Sequence, residues 1–156
     1  MKMGHILEIK KDEEFPADMV LLYAEDGEKN PVDMVFVETI NLDGENNLKP
    51  WTIIDPSVNS RENFNSYSAR IERYDAPNKD LEKWEGMLKK GETSRQGHID
   101  NLLLWGCTLR NTAVAYGLVI YVGRHTKIVK NSKTVPDKLS NIIKTMNKIL
   151  YSIFTF

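Results

Sequence analysis

The sequence predicts a mainly β fold, on two observations. Short apolar runs rich in strand-forming residues recur along the chain, and clusters of Gly, Pro, Asn and Asp separate them. The length of 156 residues fits one domain with a single hydrophobic core. The composition, 41% hydrophobic and 28% charged, is that of an ordinary globular protein and disfavours a wholly disordered chain.

The first two predicted strands are residues 19–23 and 34–37, because both are runs of strand-forming apolar residues. The segment 25–31 between them holds Asp, Gly, Asn and Pro, which suit a hairpin or a short loop. Residues 6–9 alternate poorly between apolar and polar, so no strand is assigned there.

Two further strands are predicted at residues 117–122 and 127–130. The intervening residues 123–126 have the spacing of a hairpin connection. These strands complete the evidence for a β core.

Residues 51–97 are predicted to form an insertion, since the composition shifts there to Asn, Ser, Glu and Lys with isolated aromatics. Residues 62–68 indicate one or two helical turns, and residues 70–74 indicate a strand. Residues 89–96 have little to bury, so we expect a mobile tip.

The last segment, residues 135–156, is predicted to be an amphipathic helix with Pro136 near its start. Its apolar residues recur at helical spacing, and they are Leu139, Ile142, Ile143, Met146, Ile149, Leu150 and Ile153.

Charge and cysteine content narrow the function classes. A net charge of -1 makes nucleic acid a poor partner, because gripping a phosphate backbone needs a surplus of Lys and Arg. The single cysteine, Cys107, excludes an internal disulfide and indicates a reducing, cytosolic location. Cys107 lies in an apolar run, so we expect a buried structural thiol.

Neither a signal peptide nor an apolar stretch of about 18 residues is seen, so we expect the chain to be soluble or nearly so.

Common site motifs are absent. The sequence has no Gly-x-x-x-x-Gly-Lys-Ser/Thr loop, no Gly-x-Gly-x-x-Gly and no His-Glu-x-x-His. The histidines His5, His98 and His125 are scattered among polar residues. We therefore expect no metal site and no cofactor-binding residue in this chain.

One loop places two carboxylates around a glycine directly after a predicted strand. Read on local pattern alone, Asp43 and Gly44 form a tight turn and Glu45 is a solvated turn residue. Loops of this kind also carry function, and local pattern does not decide between these readings.

Four blocks of the sequence recur, in the same order, in one protein family. Residues 38–49 carry Glu-Thr-x-Asn-Leu-Asp-Gly-Glu-x-Asn-Leu-Lys, and residues 15–18 carry Phe-Pro-Ala-Asp. Residues 76–78 read Ala-Pro-Asn, and the most specific block, residues 101–112, is continued by Gly117, Gly123, Thr126, Lys127, Asn131, Ser140 and Asn147. Together these blocks resemble the actuator domain of type IV P-type ATPases, the phospholipid flippases.

The resemblance implies a distorted β-sandwich or jelly-roll actuator domain over residues 1–134, with a helical insertion at about residues 51–97. This domain is formed largely by the loop between membrane helices two and three. Residues 135–156 would lead into the third membrane helix. The domain would lie at the cytosolic face of the membrane, in a multi-pass protein.

In this family, the carboxylate that matches Glu45 holds and deprotonates the water that hydrolyses an aspartyl phosphate. The resemblance therefore implies a site of four residues. Gly44 would let the backbone approach, Asp43 would shape the turn, and Asn46 would lie beside the base.

The resemblance implies that the nucleophilic aspartate, in the family's Asp-Lys-Thr-Gly-Thr motif, belongs to a domain beyond this chain. Asp137 and Lys138 are followed by Leu139 and do not match that motif. This chain alone is therefore expected to form no phosphoenzyme. Its implied partners are the phosphorylation and nucleotide-binding domains of the same protein, which would bind ATP and Mg²⁺. The full-length protein would also bind a phospholipid and an accessory beta subunit.

The chain departs from the family pattern at several positions. Asn46 replaces a usual Thr, Trp105 an Arg, and Val114 a Trp, while His5 and His125 each replace an Asp. An amide beside Glu45 in place of a hydroxyl leaves open whether the loop still supports hydrolysis.

Three readings stay open. The chain belongs to a working flippase, or to the flippase-like module fused to the guanylyl cyclases of apicomplexans and ciliates, or to a P-type pump with another cargo. In the second reading the module regulates the cyclase and hydrolysis is weakened or lost. The block at residues 101–112 argues against the third.

Overall fold

The computed structural model describes residues 2–132 and residue 146. The strands of this part are, in chain order, β1 (Ile6–Lys10), β2 (Asp18–Glu25), β3 (Met34–Glu38), β4 (Leu48–Thr52), β5 (Arg70–Tyr74), β6 (Gly86–Lys90), β7 (Thr93–Gly97), β8 (Leu102–Leu103), β9 (Thr108–Arg110) and β10 (Val114–Tyr121). The α-helices are α1 (Ile40–Asp43), α2 (Arg61–Asn65) and α3 (Lys127–Ser132), and 3₁₀ turns occupy Ile99–Asn101 and Gly123–His125. Apart from Met146, the predicted helix over residues 135–156 lies outside the described residues.

The strands form three antiparallel sheets. Their orders are β1-β10-β2-β8, β4-β3-β9 and β5-β6-β7. The predicted mainly β, sandwich-like class is confirmed. None of the helices in the described part is long and apolar enough to cross a membrane.

One apolar core joins the three sheets. Strand β2 is buried along its whole length, since it lies between β10 and β8 and its residues are nearly all apolar. Strand β3 alternates, so that Val35 and Val37 face the core while Met34 and Phe36 face solvent. Leu88 of β6 joins the same cluster.

Close packing of β2 against β10 requires a glycine. The strand register shifts between Tyr116 and Gly117. A Cβ atom on Gly117 would lie 2.5 Å from Cε of Met19 and 2.9 Å from its Cβ. No side chain fits there without displacing the buried Met19.

Most of the predicted elements are confirmed. Strands occur at residues 19–23, 34–37, 70–74 and 117–121, and α2 supplies the predicted helical turn. The segment 25–31 is a short turn closed by an antiparallel bridge between Glu25 and Pro31 and by the Val32 N–H, which donates to the carbonyl of Ala24 at 3.0 Å. Strands β2 and β3 themselves belong to different sheets.

Strand β1 was not predicted. It pairs with β10 at the edge of the first sheet, where only Ile9 of its residues is fully buried. An edge strand with little burial carries little alternation, which is why the pattern is weak.

The predicted strand at residues 127–130 is wrong, since these residues belong to α3. The backbone N–H of Lys127 donates to Oδ2 of the buried Asp18 at 2.7 Å, and the N–H of Lys130 donates to the carbonyl of Thr126 at 3.0 Å. These bonds start a helix directly after the Gly123–His125 turn. A four-residue apolar run carries too little periodicity to distinguish helix from strand.

The predicted insertion, residues 51–97, contains α2 and the whole third sheet. Residues 89–96 lie in the β6–β7 hairpin, whose tip is exposed. Trp84 anchors this sheet to the core: it is 2% exposed, and its Nε1 donates to the Tyr121 hydroxyl at 3.1 Å. The mobility of the tip stays a prediction.

Cys107 is buried between β8 and β9, with 1% of its surface exposed. Burial raises the pKa of its thiol to about 12. Since the thiolate is the reactive form, we expect a thiol reagent to label Cys107 far more slowly in the native chain than in the denatured chain. With a thiol reagent that releases a chromophore on reaction, absorbance measures both labelling rates. Equal rates would contradict the structural role.

Candidate functional site

The Asp43–Glu45 turn lies at the tip of the β3–β4 hairpin, which pairs Glu38 with Leu48 at its last register position. The single-turn helix α1 ends at Gly44, whose φ is 73° and whose N–H donates to the carbonyl of Ile40 at 2.9 Å. Glycine adopts this left-handed conformation without strain, so the chain reverses there.

The carboxylate of Asp43 holds the turn together. It accepts hydrogen bonds from the backbone N–H of Glu45 at 3.0 Å and from the Thr39 hydroxyl at 3.1 Å, and it also binds Nζ of Lys49. The bond from Lys49, followed by that from the Glu45 N–H, lowers the pKa of Asp43. Asp43 is therefore ionised, and its acceptor positions are taken by these donors. This suits Asp43 to shape the turn.

Glu45 is differently placed. Its side chain is 57% exposed, and Nζ of Lys49 lies 3.1 Å from its Oε2. In residues 2–132, Lys49 is the only side chain within ion-pair distance of this carboxylate. A carboxylate has about four acceptor positions, so Glu45 can still accept a water molecule or another donor.

Asp43, Gly44, Glu45 and Asn46 are all exposed to solvent. The structure brings these four residues together in one turn. Their catalytic role stays a prediction.

Two residues that hold this turn, Thr39 and Lys49, had no predicted role. Thr39 is buried at the start of α1, and Lys49 reaches back from β4. For Lys49 the sequence carried no helical signal, because residues 44–49 are loop and strand. For Thr39 it did, since Thr39 precedes Asp43 by four residues across α1. Residues four apart meet on one face of a helical turn.

The base of the hairpin is fixed to the rest of the domain. Arg110 on β9 donates from Nη2 to Glu38 at 3.0 Å and from Nη1 to Asp12 at 2.7 Å. Asn41 donates from Nδ2 to the carbonyl of Gly106 at 3.2 Å. The exposed turn is thus carried on a braced hairpin rather than on a free loop.

A second polar centre surrounds Asp18. This carboxylate is fully buried and accepts the backbone N–H groups of Trp105 at 3.0 Å and of Lys127 at 2.7 Å. Burial raises the pKa of Asp18 to about 6, against the lowering effect of those two N–H groups. Asp18 therefore joins the block at residues 15–18 to the block at residues 101–112 and its continuation at Lys127.

No group of three His, Cys, Asp or Glu side chains suited to a metal ion occurs among the described residues.

The fold and the site define an antiparallel, sandwich-like β domain that presents an acidic turn on an exposed, braced hairpin. No family model matches the chain. Similarity to individual proteins is extensive. Phospholipid-transporting ATPase 6 of Arabidopsis thaliana is 38% identical over 158 aligned positions, which cover 99% of this chain and 12% of that protein.

Two other relatives agree. The probable phospholipid-transporting ATPase 12 of Arabidopsis thaliana is 42% identical, over 99% of this chain and 13% of its own length. Phospholipid-transporting ATPase IC of Mus musculus is 37% identical, over 99% of this chain and 12% of its own length. The chain is therefore homologous to a segment of type IV phospholipid-transporting ATPases, as predicted, and spans about one eighth of their length. These relatives give no support to the guanylyl cyclase alternative.

Proposed function

We propose that this chain is the actuator segment of a phospholipid-transporting P-type ATPase, and that its Asp43–Glu45 turn serves the hydrolysis of an aspartyl phosphate. The observation that carries the proposal is the exposed Glu45 carboxylate on a braced turn, in a chain 37–42% identical to such ATPases. Phosphorylated aspartate, ATP and Mg²⁺ would all be bound by other domains of the full-length protein.

The reaction needs a water molecule in line with the phosphorus atom. Glu45 accepts one proton from this water while the water oxygen bonds to phosphorus, and the bond from phosphorus to the aspartate oxygen breaks. Inorganic phosphate and a free aspartate carboxylate are the products. Glu45 suits this role because it is exposed and still has open acceptor positions, whereas Asp43 is already occupied by donors.

Docking of the turn onto a separate phosphorylation domain explains why Glu45 faces solvent in the structure of this chain. A rigid-body rotation of one domain onto another would bring the two groups together. The domain would then work at the cytosolic face of a membrane, where the full-length protein moves a phospholipid between leaflets.

We expect the full-length protein, reconstituted in vesicles, to hydrolyse ATP faster when its phospholipid substrate is present and to move a fluorescent phospholipid between leaflets. Accessibility of the fluorophore to a membrane-impermeant quencher measures the transport. Stimulation by inorganic cations with no lipid movement would contradict the lipid assignment. ATP hydrolysis without a phosphoenzyme would contradict the actuator assignment.

A further inference from the structure

Lys49 forms the connection between the two carboxylates of the turn. Its backbone lies in β4, in register with Val37 of β3, so its position is fixed by the sheet. From there its ammonium group binds Oδ2 of Asp43 and lies 3.1 Å from Oε2 of Glu45. Its hydrogen bonds to Asp43 and then to Glu45 raise the pKa of Lys49, which keeps the group charged.

Stability alone gives little reason for this arrangement. The side chains of Lys49 and Glu45 are 36% and 57% exposed, and ion pairs this exposed contribute little to folding because water screens them. The turn does, however, hold two like charges within three residues. Lys49 neutralises one of them, so the three groups together carry a single negative charge.

We propose that Lys49 is a positioning residue for Glu45: it holds the Glu45 carboxylate in one orientation beside Asp43, against the repulsion between the two carboxylates. This inference rests on the proposed hydrolytic function. Because Lys49 acts through Glu45, its removal affects breakdown of the phosphoenzyme and leaves its formation from ATP unchanged.

The test follows phosphoenzyme in the full-length protein. Radiolabelled ATP forms it, excess unlabelled ATP stops further labelling, and acid-stable radioactivity reports its decay. Lys49→Met is expected to slow the decay about tenfold, with the initial rate of phosphorylation at the parental value. Lys49→Arg keeps the charge and several donors, and is expected to restore decay to within about threefold of the parent. Lys49→Gln serves as a second neutral variant if Lys49→Met folds poorly.

Two controls isolate the effect. The side chain of Lys89 is 34% exposed, much like that of Lys49, and its Nζ lies 3.6 Å from Oε1 of Glu72 on the third sheet. The phosphoenzyme of Lys89→Met is therefore expected to decay at the parental rate. In the Glu45→Gln background, adding Lys49→Met is expected to slow decay no further, because a residue that acts through Glu45 has nothing left to position.

The outcomes separate the two proposals. Parental decay in both neutral variants, together with a stable phosphoenzyme in Glu45→Gln, overturns the role of Lys49 and leaves the proposed function intact. Additive slowing in the double variant, or failure of Lys49→Arg to restore decay, also overturns the positioning role. Normal turnover of Glu45→Gln overturns the proposed function itself.

Discussion

On the proposed function, replacing Glu45 with glutamine in the full-length protein is expected to trap the phosphoenzyme. Glutamine keeps the size and the hydrogen-bonding oxygen of the side chain but cannot accept a proton from water. General base catalysis is worth about 10²–10⁴-fold, so decay of the phosphoenzyme should slow by that factor while its formation from ATP continues. Compared with the parent, Glu45→Gln should release phosphate more slowly at steady state and accumulate more phosphoenzyme. Both quantities are measured in the same reaction.

The matched control is Glu92, an exposed glutamate in the β6–β7 turn. In Glu92→Gln, the phosphoenzyme should decay and phosphate should be released at the parental rates. A Glu45→Gln variant that releases phosphate at the parental rate would remove Glu45 from the reaction. Absence of a phosphoenzyme in the parent protein would contradict the proposed reaction.

Replacing Asp18 with alanine is expected to cause the largest loss of stability of any substitution considered. It removes a buried carboxylate that accepts two backbone N–H groups, from Trp105 and Lys127. Leaving a buried donor without an acceptor costs about 1–3 kcal/mol, so the free energy of unfolding should fall by about 3 kcal/mol. For a chain of this size that lowers the melting temperature by about 10 °C. Denaturant unfolding of the chain, followed by tryptophan fluorescence, measures the change.

Asp26 provides the comparison. Its Oδ1 also accepts two backbone N–H groups, from Glu28 and Asn30 at 2.9 Å each, but in a loop open to water. After Asp26→Ala those donors can bind water, so the loss should stay near 1 kcal/mol or below. An Asp18→Ala variant no less stable than Asp26→Ala would contradict the structural role of Asp18.

The pH dependence of stability should carry a signature of Asp18. Burial raises the pKa of this carboxyl from 3.8 to about 6, so the folded state binds the proton more tightly than the unfolded state. Its contribution to stability is present in full below pH 3.8 and is lost as the pH rises through about 6. The pKa of Asp26 is instead lowered by its hydrogen bonds from the N–H groups of Asn30 and Glu28, so the stability difference between the parent and Asp26→Ala should increase slightly as the pH rises. The difference between the parent and Asp18→Ala should decrease as the pH rises from 4 to 7.

The β core could be predicted because its strands have patterns that depend on burial alone. An unbroken apolar run marks the central strand β2, and alternation marks β3. The edge strand β1 and the start of α3 could not be predicted in this way. The first is mostly exposed, and the second is set by a contact between Lys127 and Asp18, residues far apart in the chain.

For the site, the resemblance carried by residues 38–49 indicates the loop and Glu45, whose role stays a prediction, but it does not indicate the contacts that hold the loop. That Asp43 is occupied while Glu45 stays open depends on where Lys49 and Thr39 point, which only the folded hairpin determines. The brace from Arg110 to Asp12 and Glu38 likewise joins three segments distant in sequence.

The most direct test of the proposed role of Glu45 is a structure of the full-length protein with aluminium fluoride at the aspartate that would be phosphorylated, where it occupies the position of the phosphoryl group in transfer. The distance of interest joins a carboxylate oxygen of Glu45 to the water oxygen in line with aluminium. We expect a hydrogen bond of about 2.6–3.2 Å. A turn docked elsewhere, with Glu45 beyond reach of that water, would contradict the proposed role of this chain.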